Sequence, residues 1–388
     1  MVRTPVRVLM AVGLLLAVVT PVLGQAPVLR SQNHDYRAVT VAGGLMNPWS
    51  IAFLPEGDIL VTEKAGRLRL VRNGVLRMAP IEGVPEVLDA GQGGLMDVLP
   101  HPDFESNQLI YLTYSKPIGD GSEATTALAR GRFVNDRLVD VEDIFVSQTR
   151  GRAGHYGSRL AFDADGYLFM TVGERQIPSS GDLSAHPAQD ISNHHGTVNR
   201  LNDDGTAPSD NPFVGTPGAR PEIWSYGHRN PQGLAIHPET GDIWVVEHGP
   251  QGGDELNLIQ PGLNYGWPVI GYGVNYGSGL AIHEGTRGEG IESPTHFWVP
   301  SIATSGLMIY SGELFPAWKG SIFAGGLAGQ QIARLTMDGQ RVIREETMLQ
   351  GMGRIRDIRQ SPDGYIYVAI DGRGGPTSVV RLEPAGAR

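Results

Sequence analysis

The sequence contains no cysteine among its 388 residues and only three lysines, Lys64, Lys116 and Lys319. The missing cysteine excludes disulfide bonds, thiol nucleophiles, cysteine-ligated zinc or iron–sulfur sites, and the Cys-x-x-Cys-His haem motif. Acidic residues outnumber basic residues by 41 to 31, and the net charge of −10 argues against a general nucleic-acid binder. Dinucleotide-binding, P-loop, nucleophile-elbow, zinc-protease and EF-hand motifs are also missing. The chemistry must therefore depend on histidine, carboxylate, arginine and backbone oxygens.

Long hydrophobic runs are scarce and occur at the N-terminus only. Two arginines precede the apolar run 8–19, and a plausible small-residue cleavage site ends at Gly24. This pattern predicts a secretory signal peptide over residues 1–24, with a membrane anchor as the alternative, although a span needs about 20 apolar residues. We expect the mature chain, residues 25–388, to be periplasmic or secreted, without stable membrane insertion and monomeric by default.

Long helices are not expected, because 53 glycines and 27 prolines interrupt the sequence and both residues destabilise helix interiors. An apolar strand, a tight Gly-containing turn and a second apolar strand recur instead, which is typical of β-hairpins. The copies, two of them looser, lie at residues 51–61, 95–112, 160–169, 234–245, 306–323 and 358–368. Six copies predict an all-β fold, one six-bladed β-propeller in a single domain, because a ring of blades buries both faces of each sheet.

Glycine-rich segments between the repeats carry the candidate chemistry. We expect the long segments 174–230 and 246–300 to form loops on one face, where binding residues usually lie. In the first cluster the glycines around Gln92 permit close approach of a flat ligand, or form only a bulged turn. In the second cluster His155, between glycines, is either a general base or a surface loop residue.

Two further clusters point to charged ligands. Carboxylates and carbonyls in the Gly- and Pro-rich turns of 223–233, 247–257 and 264–268 favour a hard cation such as Ca²⁺, or form an acidic solvated loop. Arg354 and Arg356 share one face of a predicted strand. Their two guanidinium groups suit an anion with several carboxylates, or pair with acids across the sheet.

Taken together and in this order, the motifs resemble the soluble aldose sugar dehydrogenases of the glucose/sorbosone dehydrogenase group. Those enzymes are six-bladed propellers that use pyrroloquinoline quinone (PQQ) and calcium. The resemblance covers nearly the whole mature chain. The motifs are Gly-Gln-Gly-Gly-Leu at 91–95, Gly-His-x-Gly-x-Arg-Leu at 154–160, Trp-Ser-Tyr-Gly-x-Arg-Asn-Pro-Gln-Gly at 224–233, Glu-His-Gly-Pro-x-Gly-Gly-Asp-Glu-Leu-Asn at 247–257, Asn-Tyr-Gly-Trp-Pro at 264–268 and Arg-Ile-Arg-Asp at 354–357.

The resemblance implies that the enzyme oxidises an aldose at C1 to the lactone. His155 would remove the proton of the C1 hydroxyl while hydride passes to C5 of PQQ, with Glu174 and Arg229 completing the catalytic set. The residues implied to contact PQQ are Gln92, Arg229, Asn230, Tyr276, Arg354 and Arg356. The residues implied to bind calcium are Gly249 and Pro250, through their carbonyls, for the ion that polarises the quinone, and Glu255 and Tyr265 for a second, structural ion.

The sequence departs from the family pattern at Ala328, where relatives often carry a lysine beside the cofactor. This change removes one charge contact to PQQ unless another residue supplies it. A calcium-dependent propeller lactonase or other hydrolase and a non-catalytic propeller that binds glycans or proteins are the alternative functions. If the protein is a dehydrogenase, its electrons must leave to a separate partner or a diffusible quinone.

Overall fold

The structure is a computed structural model that describes residues 26–151 and 154–386. The signal peptide predicted for residues 1–24 lies outside the described residues. Six antiparallel sheets make up the described chain, five with four strands and one with five. The predicted six-bladed β-propeller is confirmed. Among the described residues, no helix is both long and apolar enough to cross a membrane.

The described part of the chain begins with two strands of the last blade, β1 (Val28–Leu29) and β2 (Tyr36–Met46). Blade 1 consists of β3 (Pro48–Phe53), β4 (Ile59–Glu63), β5 (Arg67–Arg72) and β6 (Val75–Leu76). Blade 2 consists of β7 (Leu95–Pro100), β8 (Leu109–Ile118), β9 (Glu123–Val134) and β10 (Arg137–Val146). Blade 3 consists of β11 (Leu160–Phe162), β12 (Leu168–Val172), β13 (Thr197–Leu201) and β14 (Ile223–Tyr226).

Blade 4 consists of β15 (Pro231–Ile236), β16 (Ile243–Glu247), β17 (Asp254–Ile259) and β18 (His296–Trp298). Blade 5 consists of β19 (Thr304–Ile309), β20 (Ile322–Gly326), β21 (Gln331–Asp338) and β22 (Arg341–Met348). Blade 6 adds β23 (Arg354–Gln360), β24 (Ile366–Asp371) and β25 (Pro376–Pro384) to the two N-terminal strands. The helical elements of the described residues are the short helix α1 (Phe104–Asn107) and 3₁₀ turns at Leu183–Ala185, Pro187–Gln189 and Pro316–Trp318.

The blades form a closed ring. The first strand of each blade packs against the first strand of the next, and β23 of blade 6 packs against β3 of blade 1. Blade 6 joins the first and last strands of the propeller, because β2 pairs with β25 from Tyr36 opposite Pro384 to Met46 opposite Pro376. The six predicted hairpins correspond to the first two strands of the six blades.

Hydrophobic clusters fill the spaces between neighbouring blades, one cluster at each of the six contacts. Because both faces of a blade are covered, inner strands such as β12 and β16 are buried along their whole length. Leu168–Val172 of β12 therefore reads as a nearly continuous apolar run rather than an alternating one. The stacked sheets provide the rigid scaffold that positions the loops.

Charged side chains cross the axis of the ring. Arg159, only 1% exposed, lies 3.4 Å from Asp97 and 3.0 Å from Asp357. Arg359 pairs with the same two carboxylates at 2.8 and 3.0 Å. Two arginines and two aspartates from blades 2, 3 and 6 thus neutralise one another, as buried charges require. Arg159 also donates to the carbonyl of Arg356 at 3.2 Å, which ties the axis to one of the predicted site residues.

The segments 174–230 and 246–300 are more than loops, so that prediction was incomplete. They also contain β13, β14, β17 and β18, the outer strands of blades 3 and 4. These strands carry polar residues that are buried, such as Asn199 and Asn257, which interrupt the apolar pattern. Packing against neighbouring strands, rather than local alternation of apolar and polar residues, therefore determines these four strands.

Candidate active site

A cavity of about 310 Å³ lies over the axis at one end of the ring, and we call it the site cavity. All six blades contribute to it, through their first strands or the adjoining loops. Its lining includes Trp49, Lys64, Gly91, Gln92, Tyr156, Gln232, His248, Leu327, Arg354, Arg356, Asp371 and Arg373. Three of the six residues predicted to contact PQQ, namely Gln92, Arg354 and Arg356, therefore lie together.

The predicted base His155 and its predicted partner form a buried pair beside this cavity. Nδ1 of His155 lies 2.5 Å from Oε1 of Glu174, and the two side chains are 5% and 1% exposed. The second carboxylate oxygen of Glu174 accepts the backbone N–H of Ile177 at 2.7 Å. The backbone N–H of His155 donates to Oε1 of Gln92, a residue of the cavity wall, at 2.9 Å. His155 therefore does not lie in a surface loop.

Backbone geometry fixes the position of the histidine. His155 has φ of +52°, in the left-handed region that few residues other than glycine adopt. The carbonyl of His155 accepts the N–H of Arg175 at 3.3 Å. A Cβ on Gly173 would lie 2.2 Å from this carbonyl oxygen, so only glycine fits there. The glycines around His155 thus permit a close approach of two strand ends.

Burial shifts the protonation of both partners towards their neutral forms. Burial, with the positive charges of Arg229 and Arg175, lowers the pKa of His155 well below its usual value. Burial raises the pKa of Glu174 to about 7, although Arg229 opposes the shift. When Glu174 is ionised it accepts the Nδ1 proton, which leaves the lone pair of Nε2 free to take another proton. The pair can therefore act as a general base above about pH 7.

The two arginines of β23 face the site cavity and share one acid. Arg354 lies 3.3 Å and Arg356 lies 3.6 Å from Oδ2 of Asp371, which is opposite Arg354 in the sheet. The side chains therefore pair with an acid across the strands and also line a cavity, and binding of an anion with several carboxylates stays a prediction. Burial lowers the pKa of Arg356 to about 10, even though Asp371 opposes this. One carboxylate between two guanidinium groups leaves an excess of positive charge that favours an anionic ligand.

The Gly-Gln-Gly-Gly loop packs tightly against the cavity. A Cβ on Gly93 would lie 2.8 Å from the hydroxyl of Tyr156. Gly94 has φ of +151°, and a Cβ there would lie 2.0 Å from the carbonyl oxygen of Lys64. The glycines are required by packing, and the turn they form brings Gln92 to the cavity wall.

Arg229 and Asn230 lie next to the site cavity and keep unpaired donors. Nη1 of Arg229 donates to the carbonyls of Gly249 at 2.6 Å and His248 at 3.2 Å. Oδ1 of Asn230 accepts from the N–H of Gly157 at 3.2 Å. Within the described residues, Nε of Arg229 and Nδ2 of Asn230 are buried without a hydrogen-bond partner. Buried donors of this kind require an acceptor that a ligand can supply.

A second, narrow cavity adjoins the first, since His248 lines both. All four residues predicted to bind calcium line it, namely Gly249, Pro250, Glu255 and Tyr265, and Arg229 and Glu247 line it as well. Burial and the carboxylate of Glu247 raise the pKa of Glu255 well above its usual value. The hydroxyl of Tyr265 bonds the backbone at Leu258 and Gln260, so a metal ligand from Tyr265 would be its backbone oxygen.

The predicted calcium ligands differ in how well they suit a cation. The carbonyl of Gly249 already accepts the guanidinium of Arg229, and that of Pro250 accepts the hydroxyl of Tyr276 at 3.0 Å. Glu255, by contrast, lies near other carboxylates. Across residues 26–151 and 154–386, no three His, Asp or Glu side chains converge as a side-chain metal site requires.

Tyr276 lies apart from Gln92, Arg354 and Arg356, on the side of the narrow cavity, where its hydroxyl donates to the carbonyl of Pro250. Its side chain is 68% exposed, and it does not line the site cavity as the structure describes it. Asp371 and Lys64 were missed by the sequence argument. The strand opposite the paired arginines was a usable signal for Asp371, whereas nothing local marked Lys64. Ala328 is exposed, and its neighbour Leu327 lines the site cavity.

Comparison with known proteins agrees with the fold and the motifs. The family described as Glucose / Sorbosone dehydrogenase matches residues 45–381. The aldose sugar dehydrogenase of Escherichia coli is 43% identical over 340 residues, which are 85% of this chain and 89% of that protein. The apo crystal structure of the soluble E. coli aldose sugar dehydrogenase matches with a TM-score of 0.83 and 38% identity, over 90% of this chain and 99% of that chain. The PQQ-bound aldose sugar dehydrogenase of Streptomyces coelicolor matches with a TM-score of 0.72 and 29% identity, over 94% and 99% of the two chains.

Proposed function

Because the chain belongs to the glucose/sorbosone dehydrogenase family of sugar-oxidising enzymes, we propose that it oxidises aldoses at C1 to the lactone with PQQ and calcium. The observation that carries this proposal is the buried His155–Glu174 pair beside a cavity that presents Arg354 and Arg356. A base beside a cavity whose wall can bind an anion suits removal of a hydroxyl proton next to an acidic cofactor.

The residues of the site cavity fit a flat, acidic cofactor. Arg354 and Arg356 share a single carboxylate, and the buried Nδ2 of Asn230 and Nε of Arg229 have no acceptor among the described residues. Gly93 leaves no room for a Cβ, which keeps the loop backbone close to the cavity. When bound, PQQ supplies the two-electron acceptor that the side chains of this protein lack. Arg354 and Arg356 would hold its carboxylates, and Gln92 would lie against it.

His155 performs the proton transfer in the proposed reaction. Nε2 takes the proton of the C1 hydroxyl, and the imidazolium that forms is stabilised by the carboxylate of Glu174, 2.5 Å from Nδ1. The same bond holds the ring in one orientation before the substrate arrives. A positioned base of this kind typically contributes ~10²–10⁴-fold to the rate.

Calcium fits the second predicted position better than the first. Glu255 and Glu247 place carboxylates beside the narrow cavity, and a divalent ion there would keep Glu255 ionised despite its burial. At the first position Arg229 would have to leave the carbonyl of Gly249 before a cation could bind. The donors of both positions are hard oxygens, as calcium prefers.

The electrons must leave the protein after each turnover. The chain has no cysteine and therefore no covalently attached haem, so we expect a diffusible quinone or a separate redox protein to accept them. A periplasmic or secreted location stays a prediction. It depends on the signal peptide predicted for residues 1–24, which lie outside the described residues.

The test is reconstitution of the purified protein with PQQ and Ca²⁺, followed by an aldose assay with an artificial electron acceptor. We expect acceptor reduction that requires PQQ, with lactone as the product. If the protein reduces no acceptor but hydrolyses added lactone, it is a hydrolase and the proposal is wrong. If it does neither and only binds glycans, the non-catalytic alternative holds.

A further inference from the structure

Lys64 is one of the three lysines of this acidic protein, and it lines the site cavity. It follows directly after β4, where its N–H donates to the carbonyl of Asn47 at 3.1 Å. Its carbonyl accepts the N–H of Leu95 at 2.9 Å. The side-chain stem passes over Gly94, because a Cβ there would lie 2.7 Å from Cγ of Lys64. Backbone contacts and packing therefore fix where the ammonium group emerges.

The ammonium contacts the carboxylate of Asp89. The two side chains are 24% and 44% exposed, and Asp89 does not belong to the described cavity lining. An ion pair with this exposure contributes little to stability, because water competes with it. Lys64 can therefore exchange this partner for a better-placed anion at small cost.

The charge of the cavity favours such an exchange. The lining has four cationic side chains, Lys64, Arg354, Arg356 and Arg373, and one carboxylate, Asp371. Arg354 and Arg356 lie on β23 of blade 6, whereas Lys64 follows β4 of blade 1 beside the Gln92 loop. A ligand held only by the arginines would leave the ammonium group at the rim of the same cavity without a role.

We propose that Lys64 is a further cofactor-binding residue, whose ammonium moves from Asp89 to a carboxylate of the acidic cofactor. The inference rests on the proposed function for the identity of that cofactor. Lys64 of blade 1 would then supply the positive charge beside the cofactor that Ala328 does not supply. Asp89 then acts as a competitor, because it holds the ammonium when the cavity has no anion.

The experiment measures PQQ affinity directly, by quenching of tryptophan fluorescence, since Trp49 lines the site cavity. Lys64→Met keeps the stem that packs on Gly94 and removes the charge. We expect the dissociation constant to rise about tenfold, the usual effect of losing one charged hydrogen bond. Asp89→Asn removes the competitor and should lower the dissociation constant several-fold. Lys64→Arg should restore most of the affinity.

Lys116→Met is the matched control, because Lys116 pairs with Asp143 on the surface away from the cavity. It should bind PQQ as the wild type does. If Lys64→Met leaves the affinity unchanged, or if Asp89→Asn weakens binding as much as Lys64→Met does, the pair is only structural and the inference is wrong. If the wild type binds no PQQ at all, the proposed function fails and the inference fails with it.

Discussion

Replacing Glu174 by glutamine tests the base directly. The substitution keeps the shape of the side chain and one oxygen that can accept the Nδ1 proton of His155, and it removes the negative charge. Its NH2 group replaces the oxygen that accepts the N–H of Ile177, so that one hydrogen bond is lost as well. In the wild type this charge stabilises the imidazolium across 2.5 Å in a site that is almost fully buried. The variant should therefore fold and bind cofactor normally and lose rate in the proton-transfer step.

The expected loss follows from the kind of hydrogen bond. A hydrogen bond to a charged group contributes about 1.5–3 kcal/mol and a neutral one about 0.5–1.5 kcal/mol, so the variant loses about 1–1.5 kcal/mol. This corresponds to about a tenfold lower kcat, since about 1.4 kcal/mol is a factor of ten.

The pH dependence should change as well. The pKa of Glu174 is raised to about 7, and the lone pair of Nε2 is available only when the pair has lost that proton. Wild-type activity should therefore be full above about pH 7 and fall tenfold per unit below it. In the variant, the acidic limb of the pH profile reflects the protonation of His155 alone. Burial lowers the pKa of His155 well below its usual value. The limb should move to lower pH, so the two profiles should cross at about pH 6, one unit below the pKa of Glu174, and the variant should be the faster enzyme in more acidic solution.

The assay is steady-state turnover of an aldose from pH 5 to 9 with saturating PQQ and artificial acceptor. Glu222→Gln is the matched control, because Glu222 lies 3.5 Å from another buried histidine, His194, that does not line the site cavity. Its rate and pH profile should equal those of the wild type. If the activity of Glu174→Gln still fell below about pH 7, or if its kcat were unchanged, the assignment of His155 and Glu174 as the catalytic base pair would be wrong.

Three other outcomes are expected. His155→Gln should keep PQQ affinity and lose ~10²–10⁴-fold in kcat; near-normal turnover in a stopped-flow assay would remove the base assignment. A chelator should lower the melting temperature of the wild type, because an ion bound only to the folded state stabilises it. Glu255→Gln should abolish that response in calorimetry, and an unchanged response would place the ion elsewhere. Arg159→Met should destabilise the fold by about 3–5 kcal/mol, because Asp97 and Asp357 would keep buried charges with one partner fewer. A loss below about 1 kcal/mol in urea unfolding would contradict the role of the axial network.

The number of blades was predictable because every blade starts with a hairpin of two apolar strands, and in four of the six that hairpin has a tight Gly-containing turn. The segment from Ile51 to Val61 therefore marks the hairpin of β3 and β4 in the sequence. The segment from Ile358 to Val368 marks the hairpin of β23 and β24. The closure of blade 6 was not predictable, since no local pattern connects Tyr36–Met46 to Pro376–Pro384. Outer strands such as β13 were missed because buried polar residues hide their alternation.

Some residues of the candidate site were likewise predictable from the sequence, and others were not. His155, Gln92 and the arginine pair stand in short motifs next to first strands, so their meeting at the axis follows from the ring. The position of Tyr276 depends on the shape of a long loop, and the structure leaves it exposed. Lys64 enters the cavity through contacts between blades, which no spacing in the sequence reveals.

The pairing of β2 with β25 also determines the order in which the molecule can fold. Some 330 residues separate the strands that meet there, and contacts so distant in sequence form slowly. Until residues 376–384 are available, β2 and β24 each present an unpaired edge that other chains can bind. Blade 6, which carries the closing contact of β23 with β3, is complete only when β25 has joined it. Premature release or truncation of the C-terminal strand should therefore produce aggregation rather than a stable five-bladed fragment.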